Sequence, residues 1–157
     1  MVKYTNSELN LGGVDVCKIK AWKRDRIFVR AFPGDIGQFC MEEAVFLLLL
    51  TKMDEMGFDL KKFRGHPEPF NNYPVAHYQS IKDCSKMVIS AYGTVGIGMG
   101  YKVYAAVYNT GFVSYWQGTT NFDLKDGECV CFLVDMTQLI EVFHPEVNTI
   151  VLNSKKN

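Results

Sequence analysis

The stretch from Phe39 to Met56 contains no proline or glycine, and its centre, Ala44-Val45-Phe46-Leu47-Leu48-Leu49-Leu50, is apolar on every side. A helix with such a centre has no face to give to water, so other parts of the chain must bury it. The apolar run is also far shorter than the roughly 20 residues that cross a bilayer. Polar residues stand at both ends, Glu42 and Glu43 before it and Lys52, Asp54 and Glu55 after it. Asp35, with Gln38 three residues on, predicts an N-cap of the capping-box kind, and Gly57 predicts the C-cap. The pattern thus sets a central core helix around which the rest is arranged.

The flanking segments read as strands. Val14 to Trp22 and Ile27 to Phe32, joined by the polar turn Lys23-Arg24-Asp25-Arg26, predict an N-terminal hairpin that Pro33-Gly34 stops. Lys86 to Tyr92 reads as strand by composition. Tyr101 to Tyr108 and Phe112 to Gly118, broken by Asn109-Thr110-Gly111, predict a second hairpin with a short glycine-containing loop. Glu128 to Val134 is a further strand, Thr137 to Phe143 a short helix capped at Asp135 or Thr137, and Asn148 to Leu152 a last strand. Val75 to Cys84 is ambiguous. Strands, one long helix and strands again give an α+β class, with the helix packed on a mainly antiparallel sheet and a hairpin-rich C-terminal half. Nothing divides residues 1–157 by linker, repeat or low-complexity tract, so a single domain is expected.

Seventeen basic and seventeen acidic residues cancel, so no global field favours nucleic acid or an anionic membrane. The spread is uneven: residues 1–32 carry seven Lys and Arg against three Asp and Glu. The five cysteines, Cys17, Cys40, Cys84, Cys129 and Cys131, are odd in number and irregular in spacing, which excludes a disulfide framework. They read as mostly buried, reduced thiols. The polar opening residues carry no leader-like apolar segment. The expected protein is soluble, in the cytoplasm or an equivalent reducing compartment.

Five groups of residues are candidates for chemistry or binding. Gly93, Gly96 and Gly98 follow Met87-Val88-Ile89, and this stretch resembles the nucleotide-binding turn of short-chain dehydrogenases, where the backbone approaches a pyrophosphate at a helix N-terminus. The Val- and Tyr-rich segment that follows favours strand over helix, so a glycine-rich connection is the preferred reading and no cofactor is assigned. Cys40 lies early on the central helix, after Gly37-Gln38, and resembles the nucleophile of papain-like hydrolases, in which the cysteine opens a helix and an upstream polar side chain lines the oxyanion hole. That resemblance implies Cys40 as nucleophile, Gln38 at the oxyanion hole, and a partner histidine on a strand after the helix; the strands from Lys86 to Val134 hold none, which leaves His77 and His144 as the candidates. If Asp35 caps the helix, Cys40 falls in its second turn, beyond most of the dipole effect. His66, His77 and His144 lack the short local spacing of zinc ligands, so no metal is expected. The first hairpin gathers Trp22, Lys23, Arg24 and Arg26, and the second gathers Tyr104, Tyr108 and Trp116. Cationic and aromatic side chains of this kind populate interfaces.

No paired-carboxylate, P-loop or nucleophile-elbow motif stands in the sequence, which leans away from an enzyme. The expected function is a protein-binding accessory or inhibitor-type module that docks on a larger partner through those two surfaces. Nucleic acid, through the basic 18–30 segment, is the less favoured partner, and no membrane is expected. The alternatives are a small cysteine hydrolase or transferase using Cys40, and a structural component of a homo-oligomeric assembly.

Overall fold

The computed structural model describes residues 2–65, 73–95, 102–109, 113–117, 127 and 129–143. The chain divides into two compact units, Met1–Ile81 and Lys82–Asn157. Helices together with two small antiparallel sheets make the class α+β.

The first unit is built on a two-stranded ribbon. Strand β1 (Lys3–Thr5) pairs antiparallel with β2 (Gln38–Cys40), with Tyr4 opposite Phe39. Each strand runs directly into a helix through a capping box. Thr5 caps α1 (Asn6–Leu11): its backbone N–H donates to Glu8 Oε2 at 2.7 Å, and its hydroxyl accepts from the Glu8 N–H at 3.3 Å. Cys40 caps α3 (Met41–Glu55) in the same way, with Glu43 at the third helical position. Ten of the fifteen residues of α3 are buried, which is what its all-round apolar centre demanded. The start differs from the Asp35 cap expected from sequence. Asp35 stands instead in the loop before β2, with a side-chain pairing to Lys3 Nζ at 2.5 Å.

The N-terminal hairpin is not formed. Val16–Lys18 is a single 3-10 turn that leads into helix α2 (Ile19–Arg24), and Ile27 to Phe32 contains no strand. Ile19 and Trp22, three residues apart, both point into the core, a helical rather than an alternating spacing.

Helices α1, α2 and α3 close in one manner. Gly13, Arg26 and Gly57 follow the respective C-caps with φ of 98°, 58° and 82°. Val14 N, Ile27 N and Phe58 N each donate to the carbonyl five residues back, on Leu9, Trp22 and Met53, at 3.0, 2.9 and 3.0 Å. A second bond joins each left-handed residue to the carbonyl three residues back, on Asn10, Lys23 and Asp54. These are Schellman closures, and all six residues of the long bonds are buried, as the motif's apolar contact requires. Two closures use glycine. The third uses Arg26, whose Cβ makes the left-handed conformation costly. Arg26→Gly is therefore expected to raise stability by up to about 1 kcal/mol. A urea midpoint that falls instead would show that the arginine side chain stabilises the fold.

Helix α4 (Tyr73–Val95) carries the unit boundary and overturns the strand expected over Lys86 to Tyr92. His77, Ile81, Cys84, Ser85 and Val88 are buried on it, a three-and-four spacing. At 23 residues it is longer than α3, so α3 is not the single long helix.

The second unit holds a three-stranded antiparallel sheet, ordered β4 (Val113–Gln117), β3 (Val103–Tyr108), β5 (Val130–Asp135). The expected second hairpin is present as β3 and β4, with Val107 opposite Val113 and Tyr104 opposite Trp116. Asp135 ends β5 and caps α5 (Met136–Phe143), its Oδ1 accepting from Thr137 N at 3.0 Å while Oδ2 pairs with Lys102 Nζ at 3.0 Å. The Thr137 hydroxyl in turn accepts from Val103 N at 2.9 Å, tying α5 to the central strand. The expected strand Asn148 to Leu152 lies outside the described residues.

Candidate functional site

Between the buried Phe28 and β2 the chain makes an irregular loop, Val29 to Gly37. A loop of this kind must still satisfy its backbone groups. Here side chains do it. The Glu43 carboxylate is fully buried and accepts four hydrogen bonds. Oε1 takes Ala31 N and Arg30 Nε, each at 2.8 Å; Oε2 takes Cys40 N at 3.0 Å and Arg30 Nη2 at 3.3 Å. The guanidinium of Arg30 reaches onward, with Nη1 donating to the Asp35 carbonyl at 2.9 Å and Nη2 to the Gln38 carbonyl. Its plane lies over the Phe39 ring, 4.4 Å from the centroid. From α4, the Tyr78 hydroxyl donates to the Val29 carbonyl. Burial, with the Glu43 charge nearby, pushes that phenol well above its ordinary value, so it remains a donor at any ordinary pH.

The brace leaves the loop's apolar side chains outside. Ile36 is 92% exposed, and Val29 and Phe32 are each 46% exposed. Such side chains cannot reach the core, because the backbone beneath them is held by Glu43, Arg30 and Tyr78. The loop is thus both fixed and apolar at its tip.

Cys40 lies at the foot of this loop. As the helix cap it is closer to the dipole than an Asp35 start allows, and its Sγ accepts from the Glu43 N–H. Both effects favour a thiolate. Burial opposes them and wins: the thiol is pushed up to about 12, with the Glu43 and Glu42 carboxylates adding to the rise. Cys84 is pushed up to about 12 by burial as well. Cys40 is therefore a protonated thiol at neutral pH, and the structure gives it a capping role. Alkylation read by peptide mass spectrometry is expected to mark Cys17 and Cys129 at neutral pH and to leave Cys40 and Cys84 unmarked. Fast modification of Cys40 near pH 7 would reverse this assignment. The same burial links to stability. The folded protein keeps both protons to higher pH than the unfolded chain, whose thiols ionise near pH 8.5. Their contribution is intact below that pH and is lost as pH climbs toward about 12.

The other residues named from sequence scatter. Gln38 is exposed on β2 and contributes its carbonyl to the brace. His77 is buried, its ring stacked on Phe46 at a centroid distance of 4.9 Å. His66 and His144 lie outside the described residues. Among the described residues no group of three His, Cys, Asp or Glu could hold a metal ion. Met87 to Val95 is helical, so the strand that a dinucleotide-binding turn must follow is absent there; Gly96 and Gly98 lie outside the described residues. Of the cysteines only Cys40 and Cys84 are buried, fewer than expected, while Cys17, Cys129 and Cys131 are exposed.

Trp22 is buried and cannot stack on a ligand, whereas Lys23, Arg24 and Arg26 are exposed at the end of α2. Tyr108 is buried and accepts a hydrogen bond from Ser114 Oγ at 3.3 Å; Tyr104 is half-buried. Val103, Ala105, Ala106 and Val107 are buried, so the central strand β3 is covered on both faces. Trp116 lies on β4.

No family model, curated protein or solved structure matches this chain. The loop was not singled out from sequence. Its signals are present, though: Glu43 three residues after Cys40, directly before the apolar centre of the helix, and Arg30 between apolar neighbours. Among the described residues no helix is long and apolar enough to cross a membrane.

Proposed function

We propose that the protein is a docking module, and that the braced loop Val29–Gly37 is the element it presents to a protein partner. The observation that carries this reading is the combination of a nearly fully exposed Ile36 with a backbone tied down by a buried carboxylate–guanidinium pair. Exposed apolar side chains on a fixed frame bind without the ordering cost that a loose loop incurs. An inhibitor or accessory subunit works through such an element. Lys23, Arg24 and Arg26 remain part of this surface; Trp22 belongs to the core and leaves it. The protonated, buried Cys40 offers no ready nucleophile, which favours docking over thiol chemistry.

The test is a pair of Phe32→Asp and Ile36→Asp substitutions. Both sites are exposed, so the circular dichroism spectrum and melting temperature are expected to stay within the usual small change for surface substitutions. Partners captured by the native protein and identified by mass spectrometry are then purified and titrated against both variants. Loss of binding at least tenfold is expected, the scale of a contact residue worth about 1.4 kcal/mol. Unchanged affinity for every such partner would rule the loop out.

A further inference from the structure

We infer that the loop's partner presents carboxylates beside the apolar pocket that receives Ile36, and that Arg26 is the residue that reads them. The inference rests on the docking role proposed for the loop, and adds the chemistry of what it docks to.

Three observations lead there. Arg26 is held in the left-handed conformation at the end of α2, in the position that α1 and α3 fill with glycine. Glycine is the lower-energy choice at such a closure. A cation near a helix C-terminus does gain from the dipole, but Lys23 and Arg24 already occupy the last turn of α2, so Arg26 is not needed for that. Strain of this kind is tolerated where the side chain has a task. Secondly, Arg26 precedes Val29 by three residues, which places its backbone within about 11 Å of the loop's first exposed apolar residue. Lys23 is at the same end: its Nζ lies 5.5 Å from the Phe39 centroid, on the ring that Arg30 also covers. Thirdly, among the described residues no carboxylate lies within salt-bridge distance of Lys20, Lys23 or Arg26, although the Glu43 charge acts on Lys23 at longer range. Exposed cations with no carboxylate in salt-bridge reach, on the segment that leads into an apolar loop, fit a partner with the opposite sign at the rim and an apolar centre. Nucleic acid is the weaker fit, because the buried rings of Trp22 and Phe39 cannot stack on bases, and half-exposed Phe32 alone makes no platform for successive bases.

The experiment selects a phage-displayed library of random peptides on the folded full chain, with the Ile36→Asp protein as counter-selection. Recovered peptides are expected to combine Asp or Glu with a large apolar residue. Their affinity, read by fluorescence anisotropy, should fall about fivefold for Arg26→Gly at low salt, the upper range for an exposed charge pair. The difference should vanish near 0.5 M NaCl, where screening is nearly complete. Because Arg26→Gly is expected to be the more stable protein, weaker binding cannot be laid to unfolding. Peptides that depend on Ile36 but lack acidic residues, or that ignore Arg26→Gly, would overturn the carboxylate inference and leave the docking loop standing. Recovery of no Ile36-dependent peptide would overturn both. So would binding confined to phosphatidylserine-containing vesicles or to a single-stranded DNA oligonucleotide, tested alongside.

Discussion

Glu43→Ala is expected to destabilise the first unit by about 3–5 kcal/mol, the range for breaking a buried ion pair from one side. The cost has a clear origin. Removing the carboxylate strands the Arg30 guanidinium, whose side chain is 11% exposed, without its counter-charge. It also leaves Ala31 N and Cys40 N without the acceptors that satisfy them. Surface ion pairs such as Lys52–Glu55 lack this leverage, because water takes over when they break. Glu43→Gln should cost less, since an amide oxygen can still accept from one backbone N–H. The measurement is a urea titration followed by Trp22 fluorescence in a Trp116→Phe background, so that the signal comes from the first unit. A loss under about 1 kcal/mol would mean that the loop is not held by this carboxylate.

Phe46→Ala is expected to cost a similar amount, about 3–5 kcal/mol, for a different reason. Phe46 is 1% exposed at the centre of α3, and its ring meets three others: His77 stacked at 4.9 Å, Tyr78 edge-on at 5.7 Å, and Phe28 at 6.4 Å between centroids. Truncation removes apolar burial and leaves a void bounded by rings from two separate segments, α4 and the chain around Phe28, which cannot both close on it. Phe46→Leu keeps most of the volume and should cost less. If alanine cost no more than leucine, the aromatic cluster would not be packed as described. The two substitutions share Tyr78, which touches Phe46 by its ring and holds Val29 by its hydroxyl. Their effects are therefore expected not to add.

The central helix was legible because its evidence is local: a long run without breakers, apolar on every side. Its beginning was not. Asp35 and Gln38 make a plausible capping box, but pairing of β2 with β1 holds Gln38 to Cys40 extended, and a cysteine with Glu43 at the third position takes the cap instead. That pairing joins residues more than thirty positions apart, beyond the reach of any local pattern. Val14 to Trp22 misled because β-branched residues alternate at its start, while the helical spacing of Ile19 and Trp22 spans one turn only. Lys86 to Tyr92 misled in the same way. Taken alone it is rich in Val, Ile and Tyr, and its helical period emerges only when it is joined to the ambiguous segment before it. The C-terminal hairpin and the Asp135 cap were legible, since turn and cap chemistry are set by adjacent residues. The loop site escaped notice because its meaning depends on burial. Arg30 reads as one more cation of a basic segment until Glu43 is found beneath it.

The brace separates what the loop shows from what holds it. Phe32, Pro33 and Ile36 contribute nothing from their side chains to the hydrogen bonds described, while Glu43, Arg30 and Tyr78 contribute nothing to the exposed tip. Tip positions can therefore accept new side chains within the ±0.5 kcal/mol typical of surface changes. For a loop that docks as proposed, specificity is free to drift while the frame stays fixed, so two descendants of this chain would favour different partners and still melt at the same temperature.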